Sequence, residues 1–396
     1  MDYAFGLFRL DFWGYALYTL IVAQITIAGV TLYLHRDQAH RGLDLHPVVR
    51  HFFRFWLWMT TGISTKEWVA VHRKHHAHCE TEEDPHSPQI HGLKKVLLEG
   101  AELYKDAGAE PGMQDTFGRG TPDDWIENNL YRRGNHFLGI ALMLLINVVL
   151  FGVVGITIFA IQMMTIPFCA AGIINGVGHH TGYRNYECSD AARNIVPWGV
   201  FLGGEELHNN HHAFPSSSRF SMRPWEFDIG WMYITVLKSV GLAKVRRVAP
   251  RPVKATESRV DLETLRAVIV NRMHVLREYS QSVTLPVLRT EVAATETGQW
   301  QKMLRKARKV LVRQPALLDE RKTQRLKEVL ENHQSLKTVH EFRERLQKLW
   351  DGATVSNEKL LADFREWLAQ AEASGIKSLQ EFARSLASYR MEPAAA

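Results

Sequence analysis

The sequence predicts an all-α fold: an integral membrane helical bundle followed by a C-terminal soluble α-helical region. Three observations support this prediction. Uncharged apolar segments are long enough to cross a bilayer, histidines recur at helical spacing, and the last third of the chain is charged with helical periodicity. We place the domain boundary between residues 249 and 250, where Pro250-Arg251-Pro252 marks a linker.

The first apolar segment, Phe12 to Leu34, contains 23 residues and no formal charge. A helix of about 20 such residues crosses the hydrocarbon core of a bilayer. His35 follows the segment directly, and Arg36 and Arg41 flank this end, which favours the cytoplasmic side. We therefore expect a span that ends at a histidine.

A second apolar segment is long enough for two crossings. Phe137 to Val177 contains 41 residues without formal charge, and we expect a hairpin that turns near Gly152–Gly155. The segment Pro47–Val71 mixes aromatic and charged residues. A crossing there would separate histidines that we expect to meet, so we predict an in-plane or re-entrant amphipathic helix. This gives three spans, with the histidine clusters and the C-terminus in the cytoplasm.

Histidines recur in three clusters at the borders of the apolar segments. Two clusters have the spacing i, i+3, i+4, which places three imidazoles on one face of a helix, and the third is a pair five residues apart. The members are His72, His75 and His76; His208, His211 and His212; and His35 and His40. One such cluster can be a solvated surface feature, but the recurrence favours convergence on metal.

The composition of the clusters indicates the kind of metal. They contain no acidic residue, unlike the carboxylate-rich di-iron sites of ferritin-like bundles. Eight imidazoles exceed what one metal ion can bind, so we expect a histidine-rich di-metal site. Iron is favoured over zinc because open positions on a redox-active ion can bind dioxygen. His78, His86 and His91 lie in the polar loop after the second cluster, and we expect none of them to bind metal.

The clusters and their neighbours resemble the histidine boxes of the membrane fatty acid desaturases. The resemblance is strongest to the stearoyl-CoA (delta-9 acyl-CoA) desaturase type and its bacterial relatives, and it covers about residues 12–245. The matching segments are His35–His40 for the first box; Glu67–His76 with Glu80-Thr81 and Asp84-Pro85-His86 for the second; Asn175–His179 for an Asn-x3-His element; and Gly203–Pro215 for the last box.

The resemblance implies that residues 1–249 form a membrane fatty acid desaturase domain, a helical bundle with a cytosolic helical cap that carries nine histidine ligands. Asn175 would act on the metal through a water molecule. Trp68 matches an aromatic residue that shapes the substrate tunnel, and Ala171 stands where the animal enzymes have a tunnel threonine. The implied ligands are His35, His40, His72, His75, His76, His179, His208, His211 and His212.

The neighbouring carboxylates of Glu205 and Glu206 allow two interpretations. Glu205 and Glu206 can orient a ligand imidazole or cap the helix that bears His208, and the sequence leaves both open. For His180, which adjoins His179, we expect a structural role.

The resemblance also implies a reaction and its cofactors. Two Fe ions, cycling between Fe2+ and Fe3+, would use O2 as co-substrate to remove two hydrogens from a saturated acyl chain. The product is a cis double bond, usually at delta-9, for unsaturated fatty acid synthesis. The chain has no haem loop, nucleotide fingerprint or iron–sulfur cysteine spacing. Electrons are therefore expected from a separate NAD(P)H-dependent reductase or ferredoxin-type donor.

The expected location is the bacterial inner membrane, with several spans and the active site facing the cytoplasm. Membrane lipid and a fatty acyl substrate are expected partners, and nucleic acid is not. Ala70-Val71 replaces an Arg-Asp pair that binds the CoA headgroup in the animal enzymes. Acyl-CoA is the first expectation for the carrier and acyl-phospholipid the second.

Two other functions stay open. A di-iron hydroxylase of fatty acyl or alkane chains has similar boxes. A non-enzymatic metal transport protein is disfavoured, because transport ligands lie near the bilayer midplane and these histidines lie at span ends.

Residues 250–396 are expected to form a helical, charged accessory region outside the active site. From Arg251 onward there are 26 Lys and Arg against 19 Asp and Glu, and helix breaks are predicted at Gly352 and Gly375. The basic run Lys302–Lys309 is either a solvated helix face or a contact with anionic lipid or a partner. Phe342 to Tyr389 weakly resembles the C-terminal helices of some bacterial transposases. We infer no activity from this resemblance.

Overall fold

The computed structural model describes residues 6–132, 135–296, 298–351 and 356–392. Most of these residues are helical, and the chain divides into two units. The first unit comprises residues 1–184 and 190–249, and the second comprises residues 185–189 and 250–396. The helix break predicted at Gly352 lies outside the described residues.

The first unit is mostly helical, with long loops on either side of the short helix that carries the last histidine cluster. Its α-helices are α1 Phe12–Gly29, α2 Pro47–Thr61, α3 Thr65–His78, α4 Pro88–His91, α5 Leu93–Ala109, α6 Met113–Phe117, α7 His136–Phe151, α8 Val153–Ile166, α9 His208–Ala213 and α10 Ile229–Ser239. Three π-helical segments span Val30–Ala39, Glu127–Tyr131 and Pro167–Ile174, and a 3-10 helix spans Val177–His179. The strands are β1 Leu43–Leu45, β2 Trp198–Gly199, β3 Phe227–Asp228 and β4 Ala243–Val245; β1 pairs antiparallel with β4, and β2 pairs parallel with β3.

Two helices of this unit are long and apolar enough to cross a membrane. They are Phe12–Ala39, which joins α1 to its π-helical continuation, and Val153–His179, which begins with α8. The first arm of the predicted hairpin, α7, is a shorter apolar helix of 16 residues. The chain reverses at Gly152, whose φ of 60° lies in the left-handed region, as expected from the sequence. Two of the three predicted crossings therefore have the length of a span.

The segment predicted as one in-plane helix is two helices. Gly62 ends α2 with a φ of 69°, and Ser64 then caps α3 by accepting a hydrogen bond from the backbone N–H of Glu67 at 3.4 Å. A residue with a left-handed backbone cannot continue the α-helix, and glycine adopts this backbone most readily, so α2 ends at Gly62. The break gives α3, which carries the second histidine cluster, a direction of its own.

A buried apolar layer lies beneath the first histidine pair. Leu32 and Leu34 pack with Leu45 of β1, Leu57 of α2 and Ile234 of α10. This layer fixes the end of the helix that presents His35.

A buried ion pair ties the same helix end to the strands of the unit. The guanidinium of Arg36 donates to Asp228 Oδ1 at 3.0 Å, and both side chains are buried. The pair couples the π-helical segment Val30–Ala39 to β3.

The second unit is helical with its own core. Its helices are α11 Leu262–Val270, α12 Arg272–Tyr279, α13 Leu285–Ala294, α14 Gln299–Val312, α15 Glu320–Asn332, α16 Gln334–Asp351, α17 Asn357–Glu372 and α18 Lys377–Ala387, with a π-helix at Ser280–Thr284 and a 3-10 helix at Pro315–Leu317. Strands β5 Val253–Lys254 and β6 Tyr389–Arg390 pair antiparallel. Trp367 lies in the core and donates to the Phe342 carbonyl at 2.9 Å. The predicted break at Gly375 separates α17 from α18.

Candidate metal centre

Four elements of the first unit bring the nine predicted histidines together. Helices α3 and α9 each present a cluster on one face, as their spacing predicts. The π-helical segment Val30–Ala39 presents His35, and its backbone lets the His40 N–H donate to the His35 carbonyl at 3.0 Å. This i to i+5 turn places the ring centroids of His35 and His40 4.9 Å apart. The 3-10 helix Val177–His179 supplies the ninth imidazole.

Five of the imidazoles form one group. Their nitrogen atoms lie within 4.8 Å of one another. The Nε2 atoms of His40 and His72 are 2.8 Å apart, and His211 Nε2 lies 3.1 Å from that of His35 and 2.9 Å from that of His76. The members are His35, His40, His72, His76 and His211.

The other four imidazoles form a second group beside the first. The Nε2 atoms of His179 and His208 are 2.9 Å apart. The ring of His212 lies 4.5 Å from that of His208 and 5.4 Å from that of His75. The two groups adjoin through α3 and α9, since the rings of His76 and His212 stack at 4.4 Å.

Four histidines are held by a carboxylate on their Nδ1 side. A neutral imidazole that donates from Nδ1 has a lone pair on Nε2, which is the protonation state that a metal ligand needs. These four Nε2 atoms are therefore available to bind a metal. The pairs are His35 with Glu205 at 2.7 Å, His75 with Asp84 at 2.9 Å, His179 with Glu80 at 2.8 Å and His212 with Asp190 at 3.1 Å.

Burial keeps most of the cluster neutral. It lowers the pKa of five histidines well below the ordinary value, and neighbouring imidazoles add to this effect. These five are His40, His72, His76, His208 and His211. For His212, burial outweighs the opposing Asp190 carboxylate, and its pKa is lowered to about 4.

In the histidine–carboxylate pairs, the charge of the partner shifts each pKa in the direction opposite to the effect of burial. Burial disfavours the charged form of His75, but the carboxylate of Asp84 outweighs it and raises the pKa of the imidazole. Burial also opposes ionisation of Asp84 and Asp190, but the adjacent His75 and His212 hold both carboxyl pKa values well below the usual range. Both acids are ionised at neutral pH and can accept from Nδ1.

The two groups fit metal ions. Two neighbouring nitrogen ligands at about 2.1 Å from one ion lie roughly 3 Å apart, and the Nε2 separations of 2.8–3.1 Å agree with this. The buried Nε2 of His212 has no hydrogen-bond partner among the described residues. Imidazole-rich sites suit iron, zinc, copper or nickel.

An apolar cavity of about 570 Å3 opens beside the histidines. His35, His72 and His208 form part of its wall, together with the predicted site residues Trp68, Ala171 and Asn175. Trp68 stacks on His72 at 4.9 Å with an interplanar angle of 11°. The cavity can therefore take an apolar chain and bring one point of it near the histidine groups.

Some residues near the groups were not predicted as site residues. Asp190 has no local sequence signal, because its partner His212 lies 22 residues away. His86 is buried, with its ring 4.4 Å from that of His75, and it joins His75 and Asp84 in a third group of close nitrogen and oxygen atoms. Cys79 Sγ lies 3.8 Å from His75 Nε2 and 3.9 Å from His179 Nδ1, and it forms a group of close ligand atoms with His75, His179 and His212.

The carboxylates that the sequence left ambiguous have different partners. Glu205 contacts His35, whereas Glu206 accepts from the backbone N–H groups of Phe201 and Leu202 at 2.8 and 2.9 Å. Glu205 thus orients an imidazole, and Glu206 holds a loop.

Two family models match this chain. Residues 11–228 match the model for fatty acid desaturases, which is more than half of the chain, and residues 260–395 match a model described as transposase. The first match contains all nine histidines of the two groups. The second lies wholly within the C-terminal unit.

Several known proteins are similar to the first unit. A probable chloroplastic lipid desaturase of Arabidopsis thaliana is 29% identical over 219 residues, which are 54% of this chain and 58% of that protein. The sn-1 stearoyl-lipid 9-desaturase of Anabaena variabilis is 27% identical over 227 residues, covering 56% of this chain and 80% of the relative. The icosanoyl-CoA 5-desaturase of Limnanthes douglasii is 32% identical over 223 residues, covering 55% and 60%.

Proposed function

Because the chain belongs to the fatty acid desaturase family, we propose that it is an oxygen-dependent di-iron desaturase. It introduces a cis double bond, at delta-9, into a saturated fatty acyl chain. The observation that carries this proposal is the position of two buried histidine groups at the wall of an apolar cavity. The His35 group would hold one iron and the His75 group the other, with Asn175 acting through water.

The residues of the chain bind and orient the reactants. Apolar cavity walls exclude water from the acyl chain, and Trp68, stacked on His72, presents a flat surface beside the metal-binding nitrogens. Glu205, Glu80, Asp84 and Asp190 fix the rings whose Nε2 atoms would bind the ions. When bound, the iron pair supplies the activation of dioxygen that aliphatic C–H removal requires.

The overall reaction needs a source of electrons. One saturated chain, one O2, two electrons and two protons give one monoene and two waters. The sequence contains no haem loop, nucleotide fingerprint or iron–sulfur cysteine spacing. A separate NAD(P)H-dependent reductase or a ferredoxin-type protein would therefore deliver the electrons.

The acyl carrier is either CoA or a membrane lipid. Acyl-CoA is the carrier implied by the resemblance to stearoyl-CoA desaturases. Acyl-lipid is favoured by the site itself, because Ala70 and Val71 are buried and apolar where the animal enzymes bind the CoA headgroup. Relatives of both kinds exist, among them a delta-9 acyl-lipid desaturase and an icosanoyl-CoA desaturase.

The proposed location is the bacterial inner membrane, with the histidine groups at its cytoplasmic face. Phe12–Ala39 and Val153–His179 are the candidate spans. Positive charges at Arg41 and Arg184 follow the span ends and support this orientation.

Analysis of acyl products tests the proposal. The iron-loaded protein is supplied with O2, a surrogate reductant and saturated chains as CoA thioesters or phospholipids in separate reactions. A monoene in either reaction supports the desaturase, and the productive carrier decides between CoA and lipid. Hydroxylated chains without monoenes would instead identify the hydroxylase alternative.

A further inference from the structure

The chain segment that leads into α9 carries exposed aromatic side chains. Ten consecutive residues, from Ile195 to Gly204, include no charged, hydroxyl or amide side chain. Within them Trp198 is 62% exposed and Phe201 is 69% exposed, and Phe227, the partner of Trp198 in the strand pair β2–β3, is 42% exposed. Large apolar side chains that cluster on a surface mark a contact with a membrane or another molecule. We call residues Trp198–Leu202 the aromatic loop.

The aromatic loop runs alongside the first helix of the chain. The side-chain amide of Gln24 donates to the Phe201 carbonyl at 3.1 Å, and the hydroxyl of Thr31 donates to the Gly203 carbonyl at 3.1 Å. Gln24 and Thr31 are seven positions apart, which is about 10 Å along a helix axis. Because this helix leads toward His35, the Phe201 end of the loop is the end that lies farther from the histidine groups.

The level of Gln24 falls inside the candidate span. A crossing needs about 20 residues, and every stretch of that length within the uncharged segment from Phe12 to Leu34 includes Gln24. Gln24 then lies about 10 Å or more from the cytoplasmic end of the crossing. The exposed apolar surface of α1 at Leu20 and Ile21 is one helical turn away. This surface therefore continues onto the exposed ring of Phe201.

The strand pair β2–β3 lies closer to the end of the same helix. Asp228, which follows Phe227, accepts a hydrogen bond from the guanidinium of Arg36 at 3.0 Å. Arg36 comes 12 residues after Gln24. The strand pair therefore lies nearer the cytoplasmic end of the crossing than the tip of the aromatic loop does.

Six backbone groups of this loop and its C-terminal continuation have partners within the protein. Three N–H groups donate to the carboxylate of Glu206, a residue 3% exposed, at 2.8–3.2 Å; they belong to Phe201, Leu202 and Gly204. The Leu202 carbonyl accepts from the Glu205 N–H at 3.2 Å, and two further carbonyls accept from the first helix as described above. Non-helical backbone is tolerated at membrane depth only where the protein satisfies it, and this loop meets that condition.

We propose that the aromatic loop inserts into the cytoplasmic leaflet of the bilayer. Phe201 lies among the acyl chains, and Trp198 and Phe227 lie at the headgroup level, where aromatic rings are favoured. The inference rests on the proposed location, because it takes Phe12–Ala39 as a membrane span. It goes beyond that location, since it places in lipid a loop segment that joins the histidine-bearing elements on the cytoplasmic side.

Thiol accessibility in reconstituted vesicles tests the insertion. The purified full-length protein, with one added cysteine, is placed in permeabilised liposomes with few chains per vesicle and reacts with a water-soluble maleimide. Labelling is counted above that of the wild type, whose own cysteines are Cys79, Cys169 and Cys188. Phe201→Cys should react about tenfold or more slowly than Glu82→Cys, because the reactive thiolate does not form in hydrocarbon.

The other positions serve as matched controls. Glu82 is exposed in a polar loop, and Leu20 is 55% exposed on α1. Leu20→Cys should be as protected as Phe201→Cys, and all three variants should react alike after the vesicles are dissolved in SDS. Because Phe201 is exposed in the protein and each vesicle holds few chains, protection in vesicles comes from lipid. Far-ultraviolet circular dichroism should match the wild type in each variant.

Rapid labelling of Phe201→Cys, with Leu20→Cys still protected, would overturn the insertion and leave the span in place. Rapid labelling of both would contradict the proposed location and this inference with it. If Phe201→Cys does not fold, Trp198→Cys takes its place and should react at a rate between those of Leu20→Cys and Glu82→Cys. A rate for Trp198→Cys equal to that of Glu82→Cys would overturn the insertion.

Discussion

Each imidazole at the centre has one nitrogen facing the histidine groups, and four have a carboxylate on the other. The carboxylates set the tautomer, because a proton held on Nδ1 leaves Nε2 with a lone pair. Sequence spacing predicts which histidines meet, since i, i+3 and i+4 share a helix face. It does not predict Asp190, whose contact with His212 arises only when a loop folds onto α9.

Asp190→Asn tests the role of this carboxylate. Asparagine removes the charge that holds the Nδ1 proton of His212 at 3.1 Å. Loss of such an outer partner weakens metal binding by about 10- to 100-fold, so we expect iron to pass to a competing chelator at a correspondingly lower chelator concentration. Asp106→Asn, on the exposed face of α5, should leave iron retention unchanged. Equal retention in both variants would show that Asp190 does not orient His212.

At the scale of secondary-structure elements, wide helical turns and a left-handed glycine aim the histidines. The pair at positions 35 and 40 would not share a face of an α-helix, but the π-helical segment Val30–Ala39 brings both rings together. A π-helical turn contains one more residue than an α-helical turn. Sequence periodicity cannot predict it, because the tertiary packing around the segment accommodates the extra residue. The break at Gly62 was missed although the sequence marks it, since Gly62 and Ser64 are a typical helix end and a typical helix cap.

Gly62→Ala tests the junction between α2 and α3. The φ of 69° disfavours alanine, and the added Cβ would lie 3.1 Å from Ile140 Cδ1. We expect a loss of stability of about 1 kcal/mol or more, measured as a lower melting temperature, with less iron bound because α3 carries His72, His75 and His76. Gly298→Ala, which meets nothing within 4 Å, should change neither quantity. An unchanged melting temperature in Gly62→Ala would mean that the junction tolerates a side chain.

At the scale of the whole molecule, the chain contains two units with separate hydrophobic cores. The core of the second unit runs from Leu265 to Tyr389, and that of the first surrounds Leu32 and Ile234. Periodicity predicted that the second unit is helical, but not the bounds of its individual helices. It did not predict that residues 185–189 belong with them, because no local pattern marks that five-residue segment. We propose that the metal-binding function resides in the first unit and that the second is accessory.

Trp367→Ala tests this division. Trp367 is 1% exposed and packs against Phe342 and Phe382. Its truncation should destabilise the second unit by about 3–5 kcal/mol, seen by calorimetry as a lower transition temperature, while bound iron stays unchanged. Trp300→Ala, at a side chain 43% exposed, should have a much smaller effect on the transition. A fall in bound iron in Trp367→Ala alone would make the second unit part of the metal-binding machinery.

Iron bound per chain, in variants that each remove one histidine, tests the central claim most directly. His211 belongs to the five-histidine group and His75 to the second group, whereas His78 faces Glu83 outside both. The wild type should bind about two irons per chain, one for each group. His211→Ala and His75→Ala should each lose iron from the affected group, while His78→Ala should bind as much as the wild type. Unchanged iron in both His211→Ala and His75→Ala would contradict the assignment of these groups as metal sites.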